Sequence, residues 1–211
     1  MQYAVNQPPA NPSDPRPRGL PGSYKLGCWY NTGKFADQQF DNTGLSLASP
    51  ATTGDPRSHR GDYSFYAVAD QMVWRTGADS PRSVGVFARI MCAPGDRNLV
   101  DLGVNVGVTL KTPFKGRDND VAGLALGYAK IGSHAQNLAG DTASLTSPGY
   151  PSRSAETVIE ATYRYQATPW WQKQADFQYA FCPAGAIPSP DDPSQRVGNV
   201  AVVGVRTNIV F

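Results

Sequence analysis

Val100-Asp-Leu-Gly-Val-Asn-Val-Gly-Val-Thr-Leu-Lys111 alternates without a break. Leu102, Val104, Val106, Val108 and Leu110 fall on one side of an extended chain, with Asp101, Gly103, Asn105, Gly107 and Thr109 on the other. Successive side chains of a strand point to opposite faces, so this segment is a strand with one apolar face and one polar or minimal face. Read outward in both directions, the same period predicts strands at 23–31, 61–75, 83–92, 99–111, 120–131, 156–167, 170–182 and 199–211. Most are about 9–13 residues long; a globular strand is typically about 5–6, and a tilted membrane-crossing strand about 9–11.

The remaining strands divide in the same way. Tyr24, Leu26, Cys28 and Tyr30 oppose Lys25, Gly27 and Trp29, and Val84, Val86, Ala88 and Ile90 oppose Gly85, Phe87 and Arg89. Leu124, Leu126 and Tyr128 oppose Gly123, Ala125, Gly127 and Ala129. Ile159, Ala161, Tyr163 and Tyr165 oppose Glu160, Thr162, Arg164 and Gln166, while Trp171, Ala175, Phe177 and Tyr179 oppose Gln172, Gln174, Asp176 and Gln178. Val203, Val205, Thr207 and Ile209 oppose Gly204, Arg206 and Asn208. The segment 61–75 is the least clean: its phase sets Tyr66, Val68, Met72 and Trp74 beside Asp70 on the apolar face. Asp70 and Lys173 are then the only clear charges on that face.

Alternation alone also fits a water-soluble sandwich. Aromatic placement favours lipid. Tyr24, Trp74, Tyr163, Tyr165, Trp171 and Phe211 gather near one end of the apolar face, and Tyr30, Tyr66, Tyr128, Tyr179 and Phe181 near the other. Two belts around an aliphatic middle suit two membrane–water interfaces, whereas a sandwich core concentrates its aromatics mid-strand. The connections agree: 32–60, 132–155 and 183–198 are long, and 76–82, 112–119 and 168–169 are short. Long loops at one end and tight turns at the other are the habit of outer-membrane barrels. The short link 93–98 on the long-loop side is an exception.

Composition narrows the choice further. Of 211 residues, 21 are Gly and 18 Pro, nearly a fifth of the chain against an ordinary share of about 12%. Such a chain suits neither a helical bundle nor, with 10% aromatics, intrinsic disorder. Charged residues are only 17%, yet mean hydropathy is −0.39, because uncharged polar residues and Gly fill the gap. The longest apolar run, Val121 to Ala129, is nine residues with two glycines, too short for a spanning helix. A net charge of +2 with no basic cluster argues against a nucleic-acid partner. Met1 is followed by neither a basic nor an apolar region, so this start is not expected to be a secretory signal; a cytoplasmic protein and a piece missing its true N-terminus both fit.

Chemical motifs are absent: there is no Walker A, GxGxxG, HExxH, EF-hand or GxSxG spacing, so neither an enzyme nor a cofactor is expected. His59 and His134 stand alone and read as surface loop residues. Cys28, Cys92 and Cys182 read as small semi-apolar side chains, with a Cys92–Cys182 bridge as the alternative.

Four blocks carry a family resemblance: Gly22-Ser-Tyr-Lys-Leu-Gly-Cys-Trp-Tyr-Asn-Thr-Gly-Lys-Phe-Ala-Asp-Gln-Gln-Phe-Asp41, Tyr66-Ala-Val-Ala-Asp-Gln-Met-Val-Trp74, Thr168-Pro-Trp-Trp-Gln-Lys-Gln-Ala-Asp-Phe-Gln-Tyr179 and Asn199-Val-Ala-Val-Val-Gly-Val-Arg-Thr-Asn-Ile-Val-Phe211. They resemble the carbohydrate-selective porins of the OprB family. The resemblance implies an all-β transmembrane antiparallel barrel of 16 strands in the bacterial outer membrane. Such a barrel passes glucose and similar sugars by diffusion. It also implies membrane lipid and small carbohydrates as partners, a homotrimer as a further possibility, and chains about twice this length that begin with a signal peptide. Residues 1–22 then read as the remnant of a preceding strand with a linker, and 23–211 as the C-terminal half of the barrel, with the N-terminal half as its partner. Eight strands alone would close on a bore filled by side chains, whereas 16 leave an aqueous channel.

A sugar channel needs hydrogen-bonding groups on its wetted wall. The phase selects Lys25, Trp29, Arg89, Asp101, Asn105, Glu160, Arg164, Gln174, Asp176, Gln178 and Arg206 as pore-lining candidates. The alternatives for this set are a solvated wall whose charges pair across strands, or a constriction supplied by an inward-folded loop. The alternatives for the whole chain are a soluble β-sandwich carbohydrate-binding module and a small eight-stranded membrane enzyme or adhesin.

Overall fold

In a computed structural model that describes residues 1–7, 19–77 and 80–210, the chain forms one antiparallel sheet of nine strands in sequence order. These are β1 (Gln2–Val5), β2 (Gly22–Asp41), β3 (Pro56–Arg75), β4 (Ser83–Cys92), β5 (Val100–Lys111), β6 (Val121–Ile131), β7 (Ala155–Thr168), β8 (Trp171–Phe181) and β9 (Val200–Ile209). Each strand pairs only with its sequence neighbours, and β1 and β9 are edges, so the sheet is an open arc. Phe211 and residues 8–18 of the expected linker lie outside the described residues.

The apolar face has no protein over it. Val205 is 84% exposed, Val203 77%, Leu124 52% and Phe177 46%. Among the described residues the buried apolar side chains are only Ile131, Ala135, Ala139 and Ala186, and the largest fully buried side chains are Asp37, Asp41, Asp62, Asp120 and Ser64. A soluble sandwich buries its Val, Leu and Phe. Here the carboxylates are inside and the aliphatics outside, which is the order a lipid-solvated wall requires.

Register corrects the sequence reading of 61–75. Cross-strand partners share a face, and Val68 pairs with both Lys25 and Arg89, while Asp70 pairs with Ser23 and Phe87. Tyr66, Val68, Asp70 and Met72 therefore lie on the polar face, not the apolar one, and Tyr66 leaves the outer aromatic belt. A bulge between Met72 and Trp74 flips the phase, so Trp74 opposite Val84 is on the apolar face. One extra residue in a strand reverses every later side chain, and no alternation count can see it. Lys173 does lie on the apolar face, at the short-turn end, with its ammonium 4.1 Å from the centre of the Trp171 ring.

The long connections are also more ordered than the sequence suggested. β2 and β3 are 20 residues each, so the connection expected over 32–60 shrinks to 42–55. The segment expected as a loop over 132–155 contains α1 (Ser133–Leu145), and 183–198 opens with a tight turn over Pro183–Ala186. These parts lie beyond the ten or so residues that cross a bilayer, where no apolar period is imposed. Cys28, Cys92 and Cys182 are all free thiols.

Candidate functional site

The polar face can be followed row by row across the sheet. One row runs Lys25, Val68, Arg89, Asn105, Gly127, Val158 and Ala180 from β2 to β8. The next, towards the short turns, runs Ser23, Asp70, Phe87, Gly107, Ala125, Glu160 and Gln178. The first row narrows to Gly127 after Asn105, and the second to Gly107 and Ala125, so the wall dips there. Phe87, Arg89 and Asn105 stand on one bank of a trough of about 380 Å³, and Glu160 stands on the other over a floor of Ala125, Gly127 and Ala129. The floor cannot be raised at one point without moving the wall. A Cβ on Gly107 would come within 2.5 Å of the Phe87 ring and 2.8 Å of the Leu124 carbonyl oxygen.

This trough gathers four of the sequence candidates: Arg89, Asn105 and Glu160 line it, and Gln178 donates from Nε2 to Oε2 of Glu160 at 2.8 Å. The Arg89 guanidinium lies 5.1 Å from the centre of the Phe87 ring. Phe87 was missed as a site residue. Its signal was available, since it is an aromatic on the polar phase between Gly85 and Arg89. Asp70, freed from the apolar face by the register, is its cross-strand neighbour.

The other candidates lie elsewhere. Arg164, Gln174 and Arg206 share one row nearer the short turns. Asp176 sits one row above them, where a Cβ on Gly204 would meet its carboxylate at 2.2 Å. Lys25 is two strands from Arg89, and Trp29 faces Ser64 near the long-loop end. Asp101 is drawn to a bulge at that same end, where the Lys130 ammonium donates to both its oxygens at 2.8 and 3.1 Å.

Above the trough the long-loop segments converge on Asp37. Its buried carboxylate accepts hydrogen bonds from the Gln39 and Phe40 amides at 2.8 and 2.9 Å, and meets His59 Nε2 at 2.7 Å and His134 Nδ1 at 2.9 Å. The two histidines expected as solitary surface residues are thus brought to one carboxylate from β3 and α1. No sequence signal links positions 37, 59 and 134. Asp96, paired with Arg97 at 2.8 Å, lies 3.8 Å from His59 Nδ1. Burial opposes ionisation of Asp37, but the Phe40 amide, His59, the Gln39 amide and His134 outweigh it and hold the carboxyl well below the usual range. Asp41 is held low in the same sense: burial opposes ionisation, and the Thr53 amide, Thr43, the Leu45 amide and Thr52 outweigh it.

Through these contacts α1 is held at the long-loop end of the sheet. It leaves β6 and docks on β2, with Asp141 accepting from Gln39 Nε2 at 2.9 Å and Ser46 Oγ at 2.7 Å, and the Phe40 and His134 rings meeting edge-on at 5.3 Å. The 93–99 link supports it from below, with the Gly95 carbonyl accepting from the His134 amide and Asn98 Nδ2 donating to Asp62. The long-loop end is thus packed by α1 and the 93–99 link.

An antiparallel sheet with a bare apolar face, a polar face of troughs and charges, and a helix packed at its long-loop end has the build of a membrane β-barrel wall. The chain belongs to the carbohydrate-selective porin, OprB family, whose model matches residues 2–211, and this places it among porins of the bacterial outer membrane. It is 27% identical over 199 residues to Porin B of Pseudomonas aeruginosa, covering 91% of this chain and 42% of that protein. It superposes on the high-pH structure of Pseudomonas putida OprB with a TM-score of 0.77 at 27% identity, covering 92% of this chain and 46% of the other. The chain spans less than half the length of these relatives.

Proposed function

We propose that residues 23–211 form the C-terminal half of a 16-stranded barrel that lets small neutral carbohydrates diffuse across the outer membrane. The open edges support this reading, because β1 and β9 would leave backbone donors and acceptors unpaired in hydrocarbon unless further strands completed the ring. The missing strands would come from an N-terminal half that also carries the export signal, and contacts within a homotrimer would use the bare apolar face. Residues 1–22 would join the halves.

The observation that carries the sugar reading is the trough between Arg89 and Glu160. A pyranose presents hydroxyls at its rim and C–H groups on its faces. Arg89, Asn105 and Glu160 offer charged and amide partners to the rim, and Phe87 offers a ring to the face. No bond is made or broken, so the protein acts as a passive channel and not as an enzyme. Sugar flux through the full-length protein in liposomes tests this. Arg89→Ala and Glu160→Ala should each alter the saturation of glucose flux, and Arg164→Ala, two rows away, should alter it less. Unchanged glucose flux in the first two would remove the trough from the path. A soluble carbohydrate-binding sandwich is disfavoured by the exposure of Val203 and Val205 and by the absence of an apolar core among the described residues.

A further inference from the structure

One row of the polar face has a character that sugar diffusion does not require. At the short-turn end, Arg75 pairs with Ser83, Ser83 with Lys111, Lys111 with Val121, Val121 with Arg164, Arg164 with Gln174 and Gln174 with Arg206. Cations therefore stand on β3, β5, β7 and β9, at every second strand and at one height. Neighbouring strands are about 4.8 Å apart, so the cations repeat about every 9.6 Å along the wall.

Among the described residues three cations elsewhere are neutralised, whereas Lys25, Arg89 and Lys173 have no ion pair. Arg97 pairs with Asp96, Arg117 with Asp120 and Lys130 with Asp101, each at 2.8 Å. Among the described residues Lys111, Arg164 and Arg206 have no ion pair. Arg75 donates to the Gly19 carbonyl and is included for its place in the row alone. The row immediately above, Met72, Gly85, Thr109, Gly123, Thr162, Asp176 and Gly204, contributes a single carboxylate, Asp176. The nearby Asp120 carboxylate is already engaged by Arg117, the Tyr163 hydroxyl and the Gln166 amide. Part of the row also encloses space: Arg75, Ser83, Lys111 and Arg164 line a cavity of about 460 Å³ at the foot of the wall, with Asp118 and the engaged Asp120 as the carboxylates among its described lining residues.

We propose that this row is an anion-attracting collar, and that the channel also takes monosaccharides bearing an oxyanion, either a carboxylate or a phosphate. The proposal rests on the porin reading above. Rings of Arg and Lys select anions in pores, and a cleft lined by one sign of charge raises the local concentration of its counter-ion. The spacing suits a small polyol with one oxyanion better than a single tight chelate, because adjacent cations are too far apart to grip one oxyanion together. The trough then handles hydroxyls and the collar handles charge, two rows apart on the same wall.

The test is the zero-current potential of the full-length protein in a planar bilayer under a KCl gradient. A collar potential of only half of kT makes anions outnumber cations in the current by about threefold. That preference should be present near 0.1 M and shrink towards 1 M, as the screening length falls from about 10 Å to about 3 Å. In the triple variant Lys111→Gln, Arg164→Gln and Arg206→Gln the preference should vanish or invert while conductance persists. If the triple variant does not assemble, Arg206→Gln alone should lower the preference. Liposome flux of glucuronate and of glucose 6-phosphate should fall in the variant relative to glucose, and the two solutes separate carboxylate from phosphate selection. Channels that form with a cation preference in the wild type, or with the same selectivity in the variants, would overturn the collar and leave the porin reading intact. No channel from the wild type would overturn the porin reading beneath it.

Discussion

Replacing Asp37 by alanine should release α1 from the wall. The helix is fastened to the strands at its N-terminal end by the bond between His134 Nδ1 and Asp37 Oδ1 at 2.9 Å, and further along by Asp141 with Gln39 and Ser46. A hydrogen bond to a charged group contributes about 1.5–3 kcal/mol. Asp37→Ala removes that bond. It also strips the Gln39 and Phe40 amides of their acceptor, which loosens the stretch of β2 that holds the Asp141 contacts. The docking equilibrium should therefore shift by roughly 10- to 150-fold. Hydrogen exchange of peptides covering 133–145, measured on the full-length protein in detergent, reads this directly, since protection tracks local opening. His134→Ala should reproduce the loss. His59→Ala should do so less, because His59 meets Asp37 from β3 and does not touch the helix bond. Single-channel conductance should rise in step with lost protection, as the helix leaves the long-loop end of the sheet. Exchange in 133–145 that changes by less than twofold in both Asp37→Ala and His134→Ala would refute the claim that this carboxylate holds the helix.

Two further outcomes follow from the same chemistry. The Asp37 carboxyl is held below its unfolded value of about 3.9, so its contribution is full above that pH and is lost only as the pH falls through its lower folded value. Protection of 133–145 should persist at pH 4.5 and fail only in stronger acid, with Asp96, Arg97, His59 and His134 as the charged or titratable neighbours; loss of protection already between pH 5 and 4.5 would contradict it. At the opposite end, Tyr163 donates to Asp120 at 2.6 Å beside the Arg117 pair, so Tyr163→Phe should cost about 1.5–3 kcal/mol and lower the temperature at which the folded band is lost in detergent gels.

The sheet was legible in the sequence because lipid on one side and water on the other impose a strict period of two, as in Leu102 to Leu110. The phase stayed true through β4 to β8, and it set Arg89, Asn105, Glu160 and Gln178 on the polar face without showing that they come together. It failed where the backbone inserts a residue: the bulge at Met72 and Trp74 hid the true face of Asp70, and another between Asn31 and Lys34 lies within the stretch of β2 and β3 that was read as a loop. It also failed where burial is achieved by hydrogen bonds. Asp37, Gln39 and Asp41 are buried on alternate positions of β2, but a pattern of polar residues at period two reads as a loop. α1 carries only alanines, Ala135 and Ala139, against the wall, too faint an apolar stripe to separate from a Ser- and Thr-rich connection. Among the described residues no helix is long and apolar enough to cross a membrane, which says nothing about crossing by strands.

The account depends most on adjacent residues of β5 facing different solvents. In the full-length protein with Cys28, Cys92 and Cys182 replaced by serine and reconstituted in liposomes, single cysteines at Asn105 and Val106 test it directly. A small water-soluble thiol reagent should modify Asn105→Cys quickly and leave Val106→Cys untouched, while a lipid-partitioned quencher should see a label at 106 and not at 105. Equal reaction of both with the water-soluble reagent would contradict the account.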